Sequence, residues 1–168
     1  MLKIALCDDC PEDVALLRSA LDSYLSRSSQ DTAQVYPFDN ALLCAEGLAQ
    51  IGGVDVLLLD ICMPGLLGTD IAREVRQRKD KTEIVFLTSS DEFAVEAFAL
   101  KAAHYLVKPF SQDEFDEALE TALNRIASKE IKRITLKARG RSIVSLDAEE
   151  ITYIESSSHS QHLHTSTG

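Results

Sequence analysis

Five polar residues close or directly follow short apolar runs in the 168-residue chain: Asp8 and Asp9 after LKIALC (2–7), Asp60 ending VDVLLLD (54–60), Thr88 ending EIVFLT (83–88) and Lys108 after HYLV (104–107). If those runs are neighbouring strands pointing the same way, all five residues meet at one sheet edge. Three carboxylates brought together repel by roughly 4 kcal/mol per pair at 4 Å and an effective dielectric of 20, so the grouping makes sense around a hard divalent cation. Few protein oxygens, completed by water, suit Mg2+. Lys108 would add a fixed positive charge and Thr88 a hydroxyl donor. A carboxylate in such company can attack phosphorus and carry the phosphoryl group as an acyl phosphate.

The stretch IALCDDCPEDV (4–14) offers a second chemistry. Cys7 and Cys10 form a C-x-x-C, the spacing of thiol–disulfide motifs and of half a zinc site. Cys7, however, continues an apolar run and is expected in the core, where a free cysteine behaves as a small hydrophobe. Zinc needs two further soft ligands, and Cys44 and Cys62 are scattered without a second C-x-x-C. The aspartates are the chemistry expected here, with the cysteines as neighbours.

The elements that must position these residues alternate. VYPF (35–38) adds a fifth apolar run to the four above. After Pro11, residues Val14, Leu17, Leu21 and Leu25 recur at three and four, with Leu16 and Ala20 widening the stripe. Pro11 suits a first helical turn, and Glu12 and Asp13 its positive end. Further helical patterns are read at 39–50, 67–79, 91–100 and 112–128, the last with Ser111 as N-cap. Five strands alternating with five helices predict an α/β domain with helices on both faces of a parallel five-stranded sheet. VLLL is apolar on both faces, as a central strand should be, and the site belongs at the strand C-termini.

From about residue 128 the pattern changes. In RITLKARGRSIVSLDAEEITYIES (133–156), Ile134, Leu136 and Ala138 alternate with Thr135 and Lys137. A turn at Arg139–Gly140–Arg141 and two more short strands are expected, the beginning of an all-β unit. At about forty residues it is too short to bury an independent core. Residues 1–128 hold 11 Lys/Arg against 22 Asp/Glu, a net of −11, whereas residues 129–168 hold 6 against 5, a net of +1. The acidic body would repel nucleic acid, so any such contact should come from the tail. No apolar run approaches twenty residues and no signal peptide opens the chain, so no membrane partner and a cytoplasmic, reducing location are expected.

Together, CDD (7–9), LLLDICMPGLLGTDIAREVR (57–76), IVFLTSS (84–90) and HYLVKPFSQDEF (104–115) resemble bacterial response-regulator receiver domains over about residues 2–125. The resemblance implies a flavodoxin-like, doubly wound (βα)5 fold in which Asp60 is the phosphoacceptor. Asp8, Asp9 and Asp60, with the backbone carbonyl of Cys62, would hold Mg2+. Thr88 and Lys108 would bind the phosphoryl oxygens, Tyr105 would swing inward when Thr88 does, and Pro109 would follow a cis peptide. The tail resembles the opening of a LytTR-type DNA-binding domain. The expected organisation is therefore a receiver over 1–125, a linker over 126–132 and an incomplete LytTR-like domain over 133–168.

Such a protein would be no enzyme. It would receive its phosphoryl group from a sensor histidine kinase, dimerise on phosphorylation and, in the intact protein, bind DNA and control transcription. The alternatives are a stand-alone phosphorelay or protein-binding receiver and a thiol–disulfide enzyme. Cys62 and Ser90, flanking the site, either influence the lifetime of the phosphate or simply tolerate small side chains. In the tail, His159 is the candidate DNA contact. His162 and His164 share a strand face without a surrounding carboxylate pattern, and Arg139 and Arg141 are expected to solvate a hairpin.

Overall fold

The computed structural model describes residues 1–28, 32–78, 81–131, 133–137, 143–147, 151–157 and 160–165. The chain divides into two compact units, Met1–Arg125 and Ile126–Gly168. The first alternates β1 (Leu2–Cys7), α1 (Pro11–Arg27), β2 (Ala33–Phe38), α2 (Ala41–Ile51), β3 (Val56–Asp60), α3 (Gly68–Gln77), β4 (Glu83–Thr88), α4 (Ala94–Ala99), β5 (His104–Val107) and α5 (Gln112–Ile131). All five strands are parallel in the order β2-β1-β3-β4-β5.

This is the doubly wound arrangement expected, and it has a topological reason to build a site in one place. The chain leaves β1 outward to β2, then returns past β1 to β3. Connections on either side of that reversal pass to opposite faces and leave a crevice at the strand C-termini. Asp8 and Asp60 stand on its two sides.

The core follows from alternation. β3 and β4 are buried along their whole length, as strands covered on both faces must be. Ala5, Cys7, Leu57, Leu59, Ile84 and Phe86 share one cluster with Cys44 and Leu48 of α2 and Ile71 and Val75 of α3. Ile4, Leu6, Leu58, Val85 and Leu87 alternate with them and point to the opposite face. There, α1 contributes Leu17 and Leu21, and α5 contributes Phe115 and Leu119. Pro37 lies on β2, an edge strand. Because the Phe38 carbonyl accepts from the Asp8 N–H at 3.2 Å, Phe38 faces β1 and Pro37 faces outward.

Several ends differ from expectation. β2 begins at Ala33, two residues early, and α4 is shorter than the 91–100 pattern. It opens with a turn in which the Ala94 N–H donates to the Asp91 carbonyl at 3.2 Å, and Lys101, at φ 55°, follows it. α5 extends past 128 to Ile131, so most of the expected 126–132 linker is helical.

In the second unit, β6 (Arg133–Lys137) pairs antiparallel with β7 (Ile143–Asp147), and β8 (Ile151–Ser157) pairs antiparallel with β9 (Ser160–Thr165). β9 falls in the polar tail and includes His162 and His164, which were expected to share a strand face. The Tyr153 and His164 rings stack at 4.1 Å across that pair, which supplies apolar contact that hydropathy alone does not register. Arg139, Gly140, Arg141 and His159 lie outside the described residues. Among the described residues, no helix is long and apolar enough to cross a membrane.

Candidate phosphoacceptor and metal site

Asp8 and Asp9 follow β1, and Asp60 ends the neighbouring β3, so one carboxylate oxygen from each comes within 4.8 Å of the others. Asp8 and Asp60 are buried, at 1% and 4% exposure, whereas Asp9 is exposed. The site thus has a dry floor and one wet wall. Both Asp8 oxygens are engaged: Oδ1 accepts from the Cys10 N–H at 3.0 Å and Oδ2 from the Lys108 ammonium at 2.6 Å.

Lys108 arrives from the end of β5. Its own N–H donates to the Thr88 carbonyl at 2.8 Å, and its bond to Pro109 is cis, as expected. Its Nζ donates to Asp8 at 2.6 Å and to Asp13 at 2.7 Å, and lies 3.4 Å from Asp60 Oδ1. Burial opposes charge on Lys108, but the Asp13 and Asp8 contacts outweigh it and hold the ammonium above the usual lysine range. For Asp60, burial is the largest effect and pushes the carboxyl above its ordinary range. The Lys108 charge opposes it, the Asp8 charge adds to it, and the Cys62 backbone N–H opposes it.

Thr88 is fully buried at the end of β4, with its hydroxyl 3.5 Å from the Cys62 thiol and accepting from the Ser90 N–H at 3.4 Å. Tyr105 donates its hydroxyl to the Ser90 carbonyl at 2.6 Å. Thr88 and Tyr105 therefore both hold the same turn after β4. Movement of one is felt at a residue that binds the other.

Gly68 closes the floor. A Cβ there would stand 2.1 Å from the Asp60 carbonyl oxygen, so only glycine lets α3 start against the backbone of Asp60. The Gly68 N–H donates to the Ile61 carbonyl at 3.0 Å.

The thiols behave differently. Cys7 is fully buried, 3.6 Å from Met63 Sδ and 3.7 Å from the Asn40 carbonyl. The adjacent Cys44 thiol, together with burial, pushes it far above the ordinary thiol range, so it supplies no thiolate. At Cys10 the Asp13 backbone favours the thiolate, but the Glu12 carboxylate prevails and the thiol is raised. All four cysteines are free.

Sequence reasoning assigned Asp13 only to the positive end of α1. The structure places it on Lys108. The available signal was its position in the first turn of the helix that follows Asp8 and Asp9, which keeps it near the same sheet edge. Among the described residues, the carboxylate trio is the group arranged to hold a metal ion, and His162 and His164 are not in it. Glu155 lies across from His162 and 3.7 Å from His164 Nε2, so these histidines have an acidic neighbour that the sequence pattern did not reveal.

Residues 4–120 match the family described as the response regulator receiver domain. The positive alginate biosynthesis regulatory protein of Pseudomonas aeruginosa is 36% identical over 126 residues, which is 72% of this chain and 47% of that protein. Sensory transduction protein LytT of Bacillus subtilis is 29% identical over 164 residues, which is 91% of this chain and 64% of that protein. The chain thus spans 47% and 64% of the length of these two relatives. The response regulatory domain of MrkE from Klebsiella pneumoniae superposes with a TM-score of 0.67 at 28% identity, covering 76% of this chain and 99% of that one. Response regulator TrrA of Thermotoga maritima, solved in complex with Mg2+–BeF, gives a TM-score of 0.58 at 28% identity, covering 73% and 99%.

Proposed function

The chain belongs to the response regulator receiver family, and on that premise we propose that Asp60 accepts a phosphoryl group from a phosphohistidine of a sensor kinase. Receiver domains are phosphoacceptors and not true enzymes. The observation that carries the proposal is the convergence of two buried carboxylates, one exposed carboxylate and one ammonium at the switch point of the sheet.

The carboxylate trio fits a small hard cation. Ligand oxygens around one Mg2+ lie at most about 4.2 Å apart, so oxygens already within 4.8 Å need only side-chain adjustment. Asp8, Asp9 and Asp60, with the Cys62 carbonyl, would hold Mg2+, which when bound offsets negative charge on the phosphoryl oxygens. An Asp60 oxygen attacks phosphorus as the P–N bond of the donor breaks. The electron pair returns to the imidazole, which is protonated on its other nitrogen and leaves neutral. Lys108 pairs with one phosphoryl oxygen, and the Thr88 hydroxyl leaves Cys62 and Ser90 to donate to another. The vacated space lets Tyr105 turn inward and releases the Ser90 carbonyl. The phosphoryl group thereby biases a two-state equilibrium at the surface near α4 and β5, which we take as the dimerisation surface.

For output, we take residues 1–125 as the receiver, 126–132 as the joining segment and 133–168 as the opening of a LytTR-type DNA-binding domain. The match to LytT through 91% of the chain and the two antiparallel pairs support this assignment. In the intact protein the result is control of transcription, with His159 the candidate DNA contact. The test is intact-mass spectrometry after incubation with acetyl phosphate, with and without Mg2+, beside Asp60→Asn. One phosphoryl group added only to the parent and only with Mg2+ is expected. An equal adduct on Asp60→Asn would refute the assignment.

A further inference from the structure

We propose that Asp13 is a positioning residue that draws the Lys108 ammonium away from the acceptor until a phosphoryl group claims it; this rests on reading Asp60 as that acceptor. Lys108 has three N–H donors, and its two short contacts go to Asp8 at 2.6 Å and Asp13 at 2.7 Å. The acceptor oxygen, at 3.4 Å, is outside the 2.7–2.9 Å of a strong charge-assisted bond. Asp8 stands beside Asp60, directly after the neighbouring strand. Asp13 belongs to the first turn of α1 and lines an open cleft of about 510 Å³ with Leu16, Lys108 and Phe110. It therefore pulls the ammonium toward α1 and the cleft.

A phosphoryl dianion on Asp60 offers new acceptor oxygens to that ammonium. Moving onto one of them lengthens the Asp13 contact, so the pair favours the unphosphorylated form. The Asp13 charge also repels an incoming dianionic donor. Both effects have the same sign. Asp13 and Lys108 are 31% and 18% exposed at their side chains, so screening limits the pair's effect on affinity to about two- to fivefold. That exposure also means that a replacement leaves no buried hole.

The test titrates the whole chain with Mg2+ alone and then, at saturating Mg2+, with fluoroberyllate, following amide resonances. Asp13→Asn is expected to bind fluoroberyllate about two- to fivefold tighter and to take phosphoryl from acetyl phosphate faster by a similar factor. In that transfer the Asp60–phosphorus bond forms as the bond from phosphorus to acetate breaks and acetate leaves. The same variant should bind Mg2+ alone more weakly, because one negative charge is gone and Lys108 falls back on Asp8 and Asp60. Asp13→Glu should return both values toward the parent. In metal-free protein, the Lys108 Nζ resonance should move in Asp13→Asn. A merely damaged fold would weaken both ligands, so the opposite signs mark the effect. Asp13→Ala serves as the second neutral variant if Asp13→Asn folds poorly. A parent that binds fluoroberyllate while both neutral variants bind it equally or more weakly overturns the role of Asp13 alone. A parent that binds none overturns the Asp60 reading and this inference with it.

Discussion

Burying Asp60 behind an ammonium shared among three carboxylates leaves the acceptor with more negative charge than its surroundings balance. Its folded-state pKa lies above its unfolded value, chiefly through burial, so the fold prefers the protonated acid. Stability from that proton is complete below the ordinary aspartate range and is lost as pH rises through the raised folded value. At neutral pH the ionised carboxyl costs stability. Metal-free Asp60→Asn should therefore melt a few degrees above the parent at pH 7, an advantage that shrinks as pH falls into the carboxylate range and narrows when Mg2+ is added. Paired thermal scans across pH check this. A parent that melts higher at every pH would contradict it. Asp8, Asp9, Asp60, Thr88 and Lys108 were legible in the sequence because strand ends announce themselves by a change from apolar to polar. Asp13 was not, because its partner lies 95 residues away and the contact depends on how α1 sits over the end of β5.

At the scale of elements, β1, β4 and β5 are bounded where their apolar runs are bounded, and for β4 burial along the whole length leaves little freedom in where the strand stops. α4 was harder to read. It buries only Ala97, while Val95 and Phe98 are exposed, so its apolar residues did not mark an inward stripe and the pattern overstated its length. The need for glycine at 68 was also illegible, because it is a contact with backbone and leaves no periodic trace. Gly68→Ala should displace the Asp60 backbone, lowering stability by about 1–3 kcal/mol through overpacking and reducing the phosphoryl adduct at fixed donor concentration. Urea midpoints and intact mass measure the two effects. A normal adduct on a destabilised fold would show that the floor gives way without moving the carboxylate.

For the whole molecule, the decisive fact is that the five-stranded sheet and every residue of the candidate site fall before Arg125, and the helices that cover the sheet end by Ile131. A chain ending at Ile131 retains all of α5 and should fold as the parent's first unit does. Its melting temperature should stay within about 3 °C and its Mg2+-dependent phosphoryl adduct unchanged. Circular dichroism melts and intact mass check this; loss of the adduct would mean that the second unit supports the site. The charge division points the same way. The net of −11 falls within residues 1–128, which carry the metal and phosphoryl chemistry, and His162 and His164 belong to the near-neutral remainder of the sequence.

A protein proposed to signal by pairing must also avoid associating in the wrong way. An open sheet ends in a row of unpaired amide and carbonyl groups that can template a foreign strand. Pro37 stands on the outer edge of β2 with its backbone turned away from β1, so one of the donors a foreign strand would need is missing. Edge-to-edge polymerisation through β2 is thereby interrupted near the strand's C-terminal end. An edge interrupted in this way leaves the proposed pairing to other surfaces.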